Sequence, residues 1–342
     1  MTTLFVDRRG AELDAEAGRL VVRVAGERSA TVPLRPLERV VLGPSAKVST
    51  RLLAALWRNG TALLCLTGTK RLPEVRVPGR STDDAKRRLA QYALLQDEPR
   101  RALLARSIVE AKLEAQAQVV ANLLAATGPG RALSAAAERL AQARDRLAAA
   151  GPVTRASLRG IEGATANAYF AGLASVFPES LGFRGRNRRP PRDPVNACLS
   201  LGYTLLHTDA VREAAIAGLE PTMGVLHDLA PGRESLACDL AEPFRPRIDL
   251  WVWTLFRRQV LGAESFGTGR AGCRLGKAAR RAFYAAYEAD APTWRDPLRE
   301  ATARLGRLIV EAEGGLAPRL LAPPTVAEGG PDDQAPDLAG RL

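Results

Sequence analysis

The chain has 342 residues, of which 46% are hydrophobic, enough apolar material for two modest domains and against disorder as the default state. Its formal net charge is +12, and Glu328, Asp332, Asp333 and Asp337 against Arg341 make the last 22 residues −3, leaving +15 over residues 1–320. That excess favours a polyanionic partner, because basic side chains displace counterions from phosphates, although an arginine-rich composition with only five lysines also suits an ordinary soluble protein.

Taken in chain order, MTTLFVDRRG places its charges after a very short apolar run, and no segment reaches bilayer length, so a protein neither secreted nor membrane-inserted is expected. Residues 3–78 alternate short apolar and β-branched runs with turn signals: TLFVD, RLVVRVAG, ATVPL, RVVLG and ALLCLTG, which predict strands. Between the last two, STRLLAALWRNG has a hydroxyl cap, an apolar stripe and an Asn-Gly end, and predicts one short helix. From Ser81, with Asp84 three residues on in the manner of a capping box, apolar residues recur at three and four positions to about 126, interrupted at Asp97-Glu98-Pro99-Arg100. TGPG at 127–130 and Gly151-Pro152 bound a helix at about 132–149, another begins near Thr154, and helices are expected to continue to about 313. The segment from Pro318, rich in proline, glycine and aspartate, predicts a disordered tail. The expected class is α+β: a small β-rich domain over 1–78, a linker and first helix over 79–98, an all-α helical domain over 99–317 and a tail over 318–342, with no internal repeat. Cys65, Cys198, Cys238 and Cys273 lie far apart without a C-x-x-C pair, which disfavours a zinc ribbon or redox motif and reads as reduced thiols of a cytoplasmic protein.

The densest set of polar, glycine and proline residues lies between 160 and 246. Glu162 falls in the stripe Leu158, Ile161, Thr165, Tyr169, Val176, with Gly160, Gly163 and Ala164 beside it; a carboxylate facing a bundle interior needs an arginine or a metal. His227, one of two histidines, sits in MGVLHDLAPGR at an expected helix end before Pro231-Gly232 and reads as a core, capping or ligating residue. Asp239 and Glu242, three apart, share a helical face. Pro243 fits only a first turn, so the helix either starts near Leu240 with Asp239 as its N-cap or kinks there and again at Pro246. Three metal-capable side chains, Glu162, His227 and Glu242 with Asp239 beside it, thus come from three segments, as in metal sites assembled by helical bundles. Asp193-Pro194 predicts a helix start. From it Asn196, Ser200, Tyr203 and His207 form a polar stripe opposite Val195, Leu199, Gly202 and Leu206, either a solvated face or the lining of a groove. Arg184, Arg186, Arg188, Arg189 and Arg192 form the densest basic run, held extended by two prolines, and read as a solvated loop or a phosphate contact. Arg270, Arg274, Lys277, Arg280 and Arg281 form a second basic group, expected on a late helix.

Four patterns occur in order over residues 160–246: E-G-x-x-A-x-x-Y-F, R-R-P-P-x-D-P-V-N-x-x-L-S-x-x-Y, G-x-x-P-x-x-G-x-L-H and G-R-x-S-L-A-x-D-L-x-E-x-F-R-P. Together they resemble the CRISPR-associated adaptation integrase, the endonuclease common to nearly all CRISPR systems, and weaker similarity runs over about residues 2–310. The resemblance implies that Glu162, His227 and Glu242 are metal ligands, that Asp239 belongs to the same active site, and that the second acid is the usual ligand of the two. Pro243 stands where relatives more often have an acidic or apolar residue. The resemblance turns the stripe of Asn196, Tyr203 and His207 towards a catalytic groove, where Tyr203 or His207 stacks on a splayed base. Because the basic run leads directly into the Asp193 helix, a DNA-contacting loop beside the metal is expected, with Arg184, Arg186, Arg188 and Arg189 on it and Arg245 as a further DNA contact. A carboxylate and imidazole ligand set suits Mn2+ or Mg2+. The implied reaction is transesterification, a 3′-hydroxyl of a captured spacer attacking the repeat backbone, with hydrolysis when water is the nucleophile. Implied partners are double-stranded DNA with splayed single-stranded ends, CRISPR repeat DNA, a second copy joined as a homodimer through the β-rich domain, and the small second CRISPR-associated adaptation protein. A related transposon-type integrase would carry an added helix-turn-helix, and a non-catalytic DNA-binding scaffold would have lost a ligand; neither feature is found.

Overall fold

A computed structural model describes residues 2–26, 29–66, 75–77, 79, 84–187, 190–269 and 272–311. The N-terminal strands are β1 (Thr2–Val6), β2 (Glu12–Glu16), β3 (Arg19–Arg23), β4 (Ala30–Pro33), β5 (Leu37–Leu42) and β6 (Lys47–Val48); helix α1 (Thr50–Asn59) follows, then β7 (Ala62–Cys65) and β8 (Val75–Val77). They form two four-stranded sheets in the orders β1-β5-β7-β8 and β4-β3-β2-β6. The β5-to-β7 pairing is parallel, which a tight turn cannot connect, and α1 supplies the crossover. The ends of α1 follow from its sequence: the Ser49 hydroxyl accepts from the Leu52 N–H, and Gly60 closes the helix at φ 73°, a left-handed conformation that glycine adopts without strain.

Alternation along the central strands divides the interior. Val40 and Leu42 of β5 and Leu63 of β7 pack into a core with Leu13, Leu20, Leu52 and Leu56. Val41 and Leu64 point the other way, into the helical core. Arg39 lies on the same side as Val41, only 3% exposed, and pairs with Asp209 at 2.9 Å across that junction.

The remaining chain runs α2 (Ala85–Gln96), α3 (Glu98–Thr127), α4 (Arg131–Ala149), α5 (Arg155–Ala174), α6 (Pro194–Ile216), α7 (Ser235–Ala241), α8 (Arg245–Arg257), β9 (Phe266–Gly269), β10 (Gly272–Leu275), α9 (Lys277–Asp290) and α10 (Pro292–Glu311). The expected interruption at Asp97 is present: α2 stops, and the Asp97 side chain caps α3 by accepting from the Arg100 N–H. Asp84 caps α2 in the same way, while Ser81 lies outside the described residues, as do Arg270 and the expected tail. Helix α6 is central and buried around most of its circumference; a Cβ at Gly202 would lie 2.7 Å from Ile248 Cγ2, so glycine lets α8 approach.

Three expectations are corrected. The helical run is broken by the β9–β10 hairpin, on which Arg274 lies, so the second basic group is not on one helix. Asp239 lies inside α7 and is no N-cap; the chain kinks instead, through a short 3-10 turn at Glu242–Phe244 where Pro243 removes an N–H donor, and resumes as α8 with Pro246 in its first turn. His227 sits in the irregular segment between α6 and α7, not at a helix end. Among the described residues no helix is long and apolar enough to cross a membrane.

Candidate functional site

A cavity of about 700 Å³ opens between α3, α5, α6 and the α7–α8 kink. Glu162 projects into it from the middle of α5, where Leu158, Thr165 and Tyr169 bury the adjoining stripe. Glu242 enters from the kink and is 3% exposed. Between the two carboxylates stands a residue that the motif reading did not single out. Lys112 of α3 donates its Nζ to Glu162 Oε1 and to Glu242 Oε2, the latter at 2.6 Å. Arg245 Nη1 holds the other Glu242 oxygen at 2.6 Å. Burial by itself would raise the Glu242 carboxyl, but Arg245 and Lys112 outweigh it and hold it below the usual carboxylate range, favouring the ionised form.

His227 lines the same cavity, held by a tightly built loop. Asp239 accepts from the backbone N–H groups of Val225 at 2.7 Å, Leu226 at 2.9 Å and His227 at 3.2 Å, and its Oδ1 lies 2.5 Å from His227 Nδ1. From the other side the buried Arg101 donates to the carbonyls of Val225 and Gly224. A Cβ at Gly224 would meet the His227 carbonyl oxygen at 2.7 Å, which is why glycine stands there. Both Asp239 oxygens are therefore committed to the loop. A neutral His227 ring that donates from Nδ1 keeps its Nε2 lone pair for a cation.

Two carboxylates converging on one ammonium, with an imidazole in the same cavity, make a donor set that fits one divalent cation. Among the described residues no three His, Cys, Asp or Glu side chains close around a single point, and Lys112 stands between the two acids.

The remaining sequence-derived residues divide. Arg186 lines the cavity, donating to Asn196 Oδ1 at 2.8 Å and Ser200 Oγ at 3.1 Å. Asn196 is 0% exposed and is corrected: its amide donates to Gly185 O and Asp193 Oδ2, so it fastens the basic loop from inside instead of facing a groove. Tyr203 does line the cavity, but its ring packs against the Arg186 and Arg245 guanidinium groups at 5.2 and 5.3 Å, and its hydroxyl donates to Asp249. His207 contacts Glu234 Oε2 at 3.1 Å and Cys238 Sγ at 4.0 Å, so both ring nitrogens have partners. Arg184 is exposed, and Arg188 and Arg189 lie outside the described residues. The loop is anchored by Cys273 N–H donating to Pro191 O at 2.8 Å. Lys112 had one signal available: it falls four residues after Ile108 and four before Gln116, on the face that α3 buries.

Residues 4–289 match the family of CRISPR associated protein Cas1. The CRISPR-associated endonuclease Cas1 1 of Thermodesulfovibrio yellowstonii is 35% identical over 299 residues, covering 84% of this chain and 91% of that protein. Among solved structures, a casposase bound to integration product superposes with a TM-score of 0.80 at 19% identity, over 92% of both chains. A Cas6-RT-Cas1–Cas2 complex superposes with a TM-score of 0.77 at 22% identity, over 91% of this chain and 35% of that one. The extent of the match, together with four motifs whose acids and imidazole meet in one cavity, leads to one assignment: the chain belongs to the Cas1 family, the endonucleases and integrases of CRISPR adaptation.

Proposed function

We propose that Glu162, His227 and Glu242 hold one divalent cation, Mn2+ or Mg2+, at which a 3′-hydroxyl of a captured DNA fragment is joined to a CRISPR repeat by transesterification. The observation that carries this reading is the convergence of Glu162 and Glu242, from different helices, on a single cation position. When bound, the metal polarises the phosphodiester and offsets charge developing on the attacking and leaving oxygens. Asp239 fixes the His227 ring. Arg159, Arg186, Arg233 and Arg245 line the cavity and offset backbone phosphates, so the substrate strand enters a positively lined channel. Exposed Arg184 extends the basic surface outward. The casposase with its integration product and the assembly containing Cas1 and Cas2 support DNA and the small second adaptation protein as partners.

A homodimer through residues 1–78 is part of the same proposal, supported by the exposed pair Leu53 and Trp57, one turn apart on α1. Light scattering of chelator-treated protein tests it, and a monomer overturns it. The reaction is tested with a labelled duplex donor and a repeat-bearing plasmid. Glu162→Gln, His227→Ala and Glu242→Gln should each reduce strand joining about a thousandfold while DNA binding persists, and a donor ending in a 3′-dideoxynucleotide should not be joined. Joining of that donor, or full activity in any of the three variants, overturns the assignment concerned.

A further inference from the structure

The cavity already contains a cation of its own. Lys112 bridges Glu162 and Glu242, and Arg245 takes the remaining Glu242 oxygen. Two carboxylates and two side-chain cations sum to zero formal charge, so a divalent ion approaching this arrangement meets no net attraction until a protein cation withdraws. Arg245 is poorly suited to leave, being clamped on Glu242 with its guanidinium against the Tyr203 ring. An ammonium on a flexible four-carbon stem, with three rotatable donors, is the mobile one. One turn along α3, Gln116 is 3% exposed, lines the same cavity, and its Oε1 has no hydrogen-bond partner among the described residues. Residues four apart share a helical face, so an unpaired buried acceptor stands beside the mobile donor.

We propose that Lys112 is a resident counter-ion: it holds the cation position in the resting site and moves off the carboxylates when the divalent ion binds, towards Gln116 Oε1 and the DNA phosphate in the cavity. The proposal rests on the metal reading of Glu162 and Glu242 given above. It makes Lys112 a phosphate-binding group only in the loaded site, and it couples the two ligands, since a bound phosphate gives the displaced ammonium a partner. Metal affinity should therefore rise when DNA is bound, and DNA affinity should rise by the same factor when metal is bound.

The test is Mn2+ titration by calorimetry without DNA, on wild type, Glu242→Gln and Lys112→Met. Loss of a competing charge should tighten Mn2+ binding about tenfold or more in Lys112→Met. If Glu242→Gln binds Mn2+ as wild type does, the underlying metal reading fails. If Glu242→Gln weakens binding but Lys112→Met leaves it unchanged or weaker, the metal reading stands and the counter-ion proposal is overturned. Wild-type protein supplies a second readout that does not depend on the variant folding. With only Lys47, Lys70, Lys86, Lys112 and Lys277 in the chain, amine acylation can be mapped residue by residue. Saturating Mn2+ should raise the acylation rate at Lys112 several-fold relative to the other four; an unchanged ratio overturns the proposal.

Discussion

Asp239 and His227 form one positional unit. The carboxylate takes three consecutive backbone N–H groups, including that of His227, and then meets the ring of the same histidine at 2.5 Å. Glu242, three residues on, meets Lys112 and Arg245 in the cavity, which supports the proposed division into an orienting acid and a ligating acid. Asp239→Asn places an NH2 against backbone donors and should lower strand joining about 10- to 100-fold. Asp239→Ala should in addition cost about 1–3 kcal/mol of stability through unsatisfied buried N–H groups. Joining rates and thermal melts of both variants check this, and unchanged rates in both would remove Asp239 from the site.

The junction between the strands and the helices provides a second test. Arg39 pairs with Asp209 at 2.9 Å, and Arg295 holds the other Asp209 oxygen at 3.0 Å while also pairing with Glu288. Arg39→Met removes one partner from a buried network and should cost about 3–5 kcal/mol, read as an earlier denaturant midpoint. A midpoint within error of wild type would show that Arg295 alone satisfies Asp209.

Asp249 predicts a pH dependence. Burial pushes its carboxyl up to about 6, against the opposing hydrogen bonds from Tyr203 and Tyr169. A folded value raised above the unfolded one means that the protonated form is favoured in the native state. The stability it contributes is complete below the unfolded value of 3.8 and is lost as pH rises through about 6. Wild type should therefore lose about 3 kcal/mol more than Asp249→Asn between pH 3.5 and 7, on the scale of about 1.4 kcal/mol per pH unit. Parallel denaturant titrations across that range settle it, and superimposable pH profiles would contradict it.

Arg186 is the described member of the basic run that turns inward. Arg186→Ala should weaken DNA binding and reduce the slope of log affinity against log salt by about one for a lost phosphate contact. An unchanged slope would restrict Arg186 to holding Tyr203, Ser200 and Asn196 in place.

How much of this was legible in the sequence depended on whether a residue's role was set locally. Caps and turns were: Ser49 and Gly60 bound α1, Asp193-Pro194 starts α6, and Asp97 separates α2 from α3. The β9–β10 hairpin was not, because its glycine-rich strands are short and a β-pattern of two turns carries little signal beside long helices. Asn196 was misread for a related reason. Its polarity placed it on a stripe with Ser200 and Tyr203, yet Gly185, Asn187 and Asp193 hold it in a buried place with partners that no helical periodicity encodes. Lys112 stayed hidden because a single lysine in a helix reads as solvent-facing, and only the approach of Glu162 and Glu242 from distant segments gives it a buried place.

The opposed faces of β5 carry a consequence for how the molecule comes apart. Val40 and Leu42 serve one interior and Val41 the other, so a one-residue slip of this strand would empty both interiors at once. The strands and the helices are thus thermodynamically coupled at a shared wall. Heating should melt them in a single cooperative transition, and a helical fragment cut away from the strands would carry an uncovered apolar face and an Asp209 stripped of Arg39.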